Sequence, residues 1–323
     1  MASPEATAGT ADPWLEINDF DHRGWSPAVA DPANRARWYT EQLERGQILF
    51  FSSPPFNLPE QDREFLVGQR TVDSRLHKNV SYRPKEDVLR GSPEDNETQK
   101  RTHQIMRTYS REVTRFVSDF LRPYAGKFQL DFASFRPLEE QNRNLPLHKR
   151  NDLLHVDAFP TRPTRGARIL RVFTNIHPTK HRVWVVGERF PQLVRHYASD
   201  AGLLGIAQNS GDRIRSRIKR LLRAVGLPAV DRSSYDKFML RFHDYLKENS
   251  AFQQNSSGKS RLSFPPMATW LVFTDGVPHA ALSGQSALEQ TFIIPRQALV
   301  APDDAPISVL EKLCGRELAA VST

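Results

Sequence analysis

The 323-residue chain has one cysteine, no long apolar run and no surplus of acid, and each shortage removes a class of answers. A lone Cys314 excludes an intramolecular disulfide and any metal cluster built on several thiolates. The longest apolar runs, such as Val183–Val186 and Ala268–Phe273, are far too short to cross a bilayer. The first ten residues lack the cationic start and apolar stretch of a signal peptide, so a cytoplasmic address is the simplest expectation. Acidic residues number 37 against 45 basic ones, for a net charge of +8. Most of the basic residues are arginine, whose planar fork suits bidentate contact with phosphate or carboxylate. The excess admits nucleic acid, an anionic membrane face or a phosphorylated substrate as partner, and a compositional bias toward Arg and Ala would produce it equally well.

What is present is a change of character along the chain. Residues 1–12 are small and polar and read as a disordered start. A short helix is expected over 34–46, with Asn34 as cap and Gly46 as terminator, then a strand at Ile48–Phe51. Residues 79–98, with Pro84, Gly91 and Pro93, read as an exposed loop. Ile105, Tyr109, Val113, Phe116, Val117 and Phe120 recur at helical spacing and predict a long amphipathic helix over 98–121, ended by Pro123 and Gly126. β-Branched and aromatic segments follow at Phe128–Phe135, Asp152–Asp157, Arg168–Ile176 and Arg182–Val186, and read as strands. Helices return at about 189–200, 211–225 and 234–248, the last capped by Ser233 or Ser234. Strands resume at Thr269–Thr274 and Gln290–Ile294, and a short helix near 306–314 closes the chain. The expected class is α+β in a single domain over 13–323. Its β core spans about 128–186 and 262–296, with helices before it and a helical insertion at about 189–250.

The chemistry-bearing pattern is His155-Val-Asp157 together with His279. Two imidazoles and a carboxylate can hold one face of an octahedral Fe(II) and leave the other face open. His-x-acid alone is expected about once by chance in a chain with 10 His and 37 acidic residues, so context must carry the argument. His155 and Asp157 lie two apart in a strand-like segment and therefore face the same way. His279 follows a second strand, after Gly276 and Pro278. Two strands facing each other across a barrel bring the three together, as Fe(II)/2-oxoglutarate oxygenases do. No zinc spacing, aromatic RNA-binding strand motif or glycine-rich phosphate loop is present, so nucleic acid is not expected as a partner.

The segments Leu154–Pro178 and Lys259–Pro295 resemble the Kdo 3-hydroxylases, with similarity running over most of residues 80–300. The resemblance implies a double-stranded β-helix (jelly-roll) core with His155, Asp157 and His279 on Fe(II) and with 2-oxoglutarate and O2 as cosubstrates. It implies hydroxylation at C3 of 3-deoxy-D-manno-oct-2-ulosonic acid (Kdo), giving Ko, in the lipid A-linked inner core of lipopolysaccharide. The enzyme would be soluble or peripheral at the cytoplasmic face of the inner membrane. The base that anchors the distal carboxylate of 2-oxoglutarate usually lies about ten residues after the second His, but those positions hold Glu289 and Gln290. Arg296 is the favoured alternative, with Arg168 or Arg171 on the strand after His-x-Asp as the other choice. A basic amphipathic stretch at 213–223 fits an anionic membrane surface, and Lys149 and Arg150 are candidates for the Kdo carboxylate or a phosphate. Two other readings stand beside this one: the same oxygenase chemistry on a protein side chain or nucleic acid, and a non-catalytic basic binding protein.

Overall fold

A computed structural model of the chain describes residues 13–69, 79–91, 96–139, 145–208 and 231–320. The expected stretches 1–12 and 211–225, the latter with the basic segment 213–223, therefore lie wholly or largely outside the described residues.

Eight strands form one sheet, in the order β1 (Trp14–Glu16), β4 (Ile48–Phe51), β11 (Thr269–Phe273), β8 (Arg168–Asn175), β13 (Ala287–Ile294), β7 (Gln129–Arg136), β5 (Val80–Arg83) and β6 (Val88–Arg90). Three more form a second sheet, β10 (Ser260–Phe264), β9 (Arg182–Val186) and β12 (His279–Ser283). A two-strand ribbon joins β2 (Phe20–Asp21) to β3 (Gly24–Trp25). The central strands β11, β8 and β13 pair antiparallel over long registers, so their side chains alternate between two faces.

That alternation separates the core into layers. Leu170 and Val172 of β8, with Leu271 and Phe273 of β11, point outward to α1 (Pro32–Glu44) and α3 (Asn96–Phe120). Phe173, Trp270 and Val272 point the other way and meet Trp184, Leu262 and Phe264 of the second sheet. The two sheets thus pack face to face. The outer face of the small sheet is covered by helices inserted between β9 and β10, chiefly α4 (Phe190–Tyr197), α5 (Leu203–Gln208) and α6 (Ser234–Glu248). A later helix, α8 (Pro306–Cys314), joins the same cluster.

Several expectations shift by local chemistry. The first helix is capped by Asp31, whose side chain accepts from the Ala33 and Asn34 amides, because Pro32 is preset for the first helical turn. The stretch expected as a loop at 79–98 contains the β5–β6 hairpin, in which Val80 and Tyr82 are buried and Ser81 and Arg83 alternate with them. Pro84 and Gly91 masked that short alternation. Asp152–Asp157 is not a regular strand, and His155 makes a single bridge to His279. Ser233 caps α6 with a full capping box through Asp236.

Candidate metal centre

His155 and His279 face each other as a reciprocal backbone pair: the His155 amide donates to the His279 carbonyl (3.1 Å) and the His279 amide to the His155 carbonyl (2.9 Å). This antiparallel pair fixes two imidazoles side by side although 124 positions separate them, from 155 to 279. Two residues further on, the Asp157 amide donates to the Thr274 carbonyl at 2.8 Å, tying the carboxylate to the end of β11. The ligand atoms of the three side chains lie within 4.8 Å of one another. Ligands sharing one face of an ion at about 2.1 Å each are about 3.0 Å apart, so the side chains draw together by up to about 1.8 Å when the site fills.

Each imidazole is oriented from behind. His155 Nδ1 bonds the Leu153 carbonyl (2.7 Å) and His279 Nδ1 the Val277 carbonyl (2.9 Å), which leaves both Nε2 atoms for a metal. Trp184 stacks on His279 at 5.2 Å, and His243 of α6 packs edge-on against His155 at 4.8 Å. Asp157 Oδ1 lies 3.7 Å from His155 Nε2, while its Oδ2 pairs with Arg171 at 3.0 Å.

Burial, then the neighbouring His279 and His243, holds His155 well below the usual imidazole range. His279 is lowered by burial against the opposing pull of Asp157. Burial would raise Asp157, but Arg171 and the two imidazoles hold it ionised, below the usual carboxylate range. Neutral imidazoles beside an ionised carboxylate are the protonation states a divalent cation requires. The donor set therefore fits Fe(II).

The three arginines nominated from sequence lie in different places. Arg171 faces the triad, bonded to Asp157 and to Glu289 (2.9 Å). Arg168, an odd number of residues away on the same strand, points to the opposite face. There it is buried against Asp275 (3.0 Å), the Glu44 carbonyl (3.2 Å) and the Phe273 ring. Arg296, favoured on spacing, follows Pro295 in a 3-10 turn beyond β13, and its guanidinium bonds Glu311 and Ser308. Pro295 ends the strand before an arginine on it can turn inward. Lys149 and Arg150 lie in and just after a 3-10 turn, where Lys149 is exposed and Arg150 pairs with Asp152 at 2.5 Å. Sequence reasoning missed His243 and Arg136. The signal for Arg136 was parity, since Ser134 and Arg136 alternate with the buried Ala133 and Phe135 of β7. Glu289, set aside as unable to bind an anion, bonds both Arg136 and Arg171.

Comparison with known proteins follows this geometry. The profile of the 3-deoxy-D-manno-oct-2-ulosonic acid (Kdo) hydroxylase family matches residues 26–317. Solved structures of the Kdo hydroxylase KdoO, a non-heme Fe(II), α-ketoglutarate-dependent dioxygenase, are similar over nearly the whole chain. Its complex with α-ketoglutarate and Fe(III) has a TM-score of 0.80 at 32% identity, covering 96% of this chain and 98% of that one. Its apo form gives 0.80 at 33%, over 95% and 98%, and its cobalt(II) complex 0.79 at 33%, over 96% and 98%. No curated protein matches the sequence. A match of this extent means that the chain belongs to the Kdo hydroxylase family of Fe(II)/2-oxoglutarate-dependent dioxygenases.

Proposed function

We propose that the chain hydroxylates C3 of Kdo, giving Ko, on a lipid A-linked inner-core acceptor, with His155, Asp157 and His279 holding Fe(II). The observation that carries the reading is the His155–His279 backbone pair with Asp157 beside it, inside a chain that matches the family over residues 26–317. When bound, Fe(II) with 2-oxoglutarate and O2 supplies the oxidation, with 2-oxoglutarate leaving as succinate and CO2. The protein's part is to hold, orient and keep dry. Leu153 and Val277 carbonyls hold the imidazoles in one tautomer, and Trp184 and His243 wall two sides. Of the three sequence candidates, Arg171 is the one we assign to the distal carboxylate of 2-oxoglutarate, because it faces the triad while Arg168 and Arg296 point away from it.

We read residues 13–323 as one oxygenase domain whose two facing sheets form a double-stranded β-helix. A chain with net charge +8 suits an acidic acceptor at an anionic surface, so we assign it a peripheral place at the inner face of the inner membrane. No described helix is long and apolar enough to cross a membrane. The test is co-expression with a Kdo-lipid A acceptor, followed by mass spectrometry. The wild type is expected to add one oxygen to the Kdo. His155→Ala and Asp157→Ala are expected to fold and to add none, and full activity in either would sink the metal assignment. Succinate formed without an added oxygen would mean a different substrate.

A further inference from the structure

Beside the triad, arginines and phenylalanines alternate in a row. Asp157 pairs with Arg171, whose guanidinium lies 5.7 Å from the Phe159 ring. Arg162 lies over Phe159 at 4.4 Å and over Phe132 at 4.2 Å, and Arg83 lies over Phe132 at 4.9 Å. The sheet builds this row. Arg83 of β5 and Arg171 of β8 sit on the face opposite the outer core, to which Tyr82, Leu170 and Val172 belong. Phe132 reaches the same row by alternation with Ser134 and Arg136, next to a bulge of β7 that the Gln290 amide caps by donating to the Asp131 and Phe132 carbonyls.

The row has donors to spare. Phe132 and Phe159 both lie against the Arg162 guanidinium. Asp131 binds one edge only, with both oxygens on Nη1. Arg83 has no ion pair among the described residues, and its buried Nε has no hydrogen-bond partner; neither has the buried Nε of Arg171. Buried guanidinium N–H groups without acceptors are costly and rare. Among the described residues on this side of the triad, the guanidiniums of Arg83, Arg136, Arg162 and Arg171 lie with the carboxylates of Asp131, Asp157 and Glu289.

We infer that Arg83 and Arg162, stacked on Phe132, form the subsite that receives the carboxylate of the acceptor sugar. The inference rests on the hydroxylase reading above. Kdo is an ulosonic acid whose carboxyl group is borne on C2, next to the carbon to be hydroxylated, so its anion must bind close to the metal ligands. A planar guanidinium held against rings presents the bidentate fork that a carboxylate matches.

The test measures KM and kcat of the Fe(II) enzyme on a Kdo-lipid A acceptor, with Co(II) and 2-oxoglutarate binding measured separately. Arg83→Gln, which loses no ion pair among the described residues, and Arg162→Gln are each expected to raise the acceptor KM about tenfold or more. Co(II) and 2-oxoglutarate affinities are expected to stay within about twofold. Esterifying the sugar carboxylate should cost the wild type the same factor and the variants nothing further, while removing the lipid phosphates should leave the ratio unchanged. Unchanged acceptor KM in both variants overturns the subsite and leaves the hydroxylase reading standing. So does a loss that follows the phosphates, or one that falls on 2-oxoglutarate binding instead. No turnover by the wild type overturns both readings.

Discussion

Glu289 occupies a position where spacing after His279 calls for a base, and its buried carboxylate instead joins Arg136 to Arg171. Burial alone would raise this carboxyl, but the two guanidiniums together hold it below its usual value. A carboxylate lowered in the folded state stabilises fully above its unfolded pKa, about 4.3, and that stability is lost as pH falls through the folded value. Glu289→Gln is therefore expected to lose about 3 kcal/mol at neutral pH, since it leaves two buried cations facing each other. The gap to wild type should narrow below pH of about 4.3, as read by urea unfolding at a series of pH values. A gap independent of pH would show that the carboxylate's charge is not what matters. At this scale the grouping of His155, Asp157 and His279 was legible from residue types and order, although the strand expected at 152–157 is a single bridge. Arg171 was legible only in part. It was coupled with Arg168, although three positions on a strand put the two on opposite faces.

Between elements, Arg168 ties the end of α1 to the start of β8 and to the turn after β11 through the Glu44 carbonyl, Asp275 and the Phe273 ring. A Cβ on Gly276 would lie 2.7 Å from Arg168 Nη2, so the turn leaves room for the guanidinium and nothing more. Arg168→Met is expected to cost about 3–5 kcal/mol by stranding the buried Asp275, and Arg168→Met with Asp275→Leu to recover most of it. Urea midpoints of the two variants decide this; equal losses would show that packing rather than charge governs the joint. The strands β4 and β9 and the helices α3, α6 and α8 were legible from periodicity or caps, because long runs and capping boxes carry their own signal. The β5–β6 hairpin was not, since four residues of alternation between turn formers are too few to read. Nor was the irregular course of residues 152–157, which depends on a partner more than a hundred residues away.

For the whole molecule, a metal that binds the folded state alone stabilises it by mass action. At a concentration about 100-fold above Kd the gain is about 2.7 kcal/mol. Co(II), which a structurally similar Kdo hydroxylase binds in its solved structure, is expected to raise the melting temperature of the wild type by a few degrees. In Asp157→Ala the rise should vanish, and a rise that persists there would place the stabilising metal elsewhere. The layered arrangement was legible as a β core with helices before and within it, while the order of strands in the two sheets was not, because pairing is set by contacts distant in sequence.

The reciprocal pair between His155 and His279 also orders events in time. The pair closes only when the chain has reached its last strands and the small sheet has met the extended segment before Asp157, which makes it one of the slow, non-local contacts of folding. On the proposed ligand set, a nascent chain released before residue 279 would hold His155 and Asp157 and lack the third ligand.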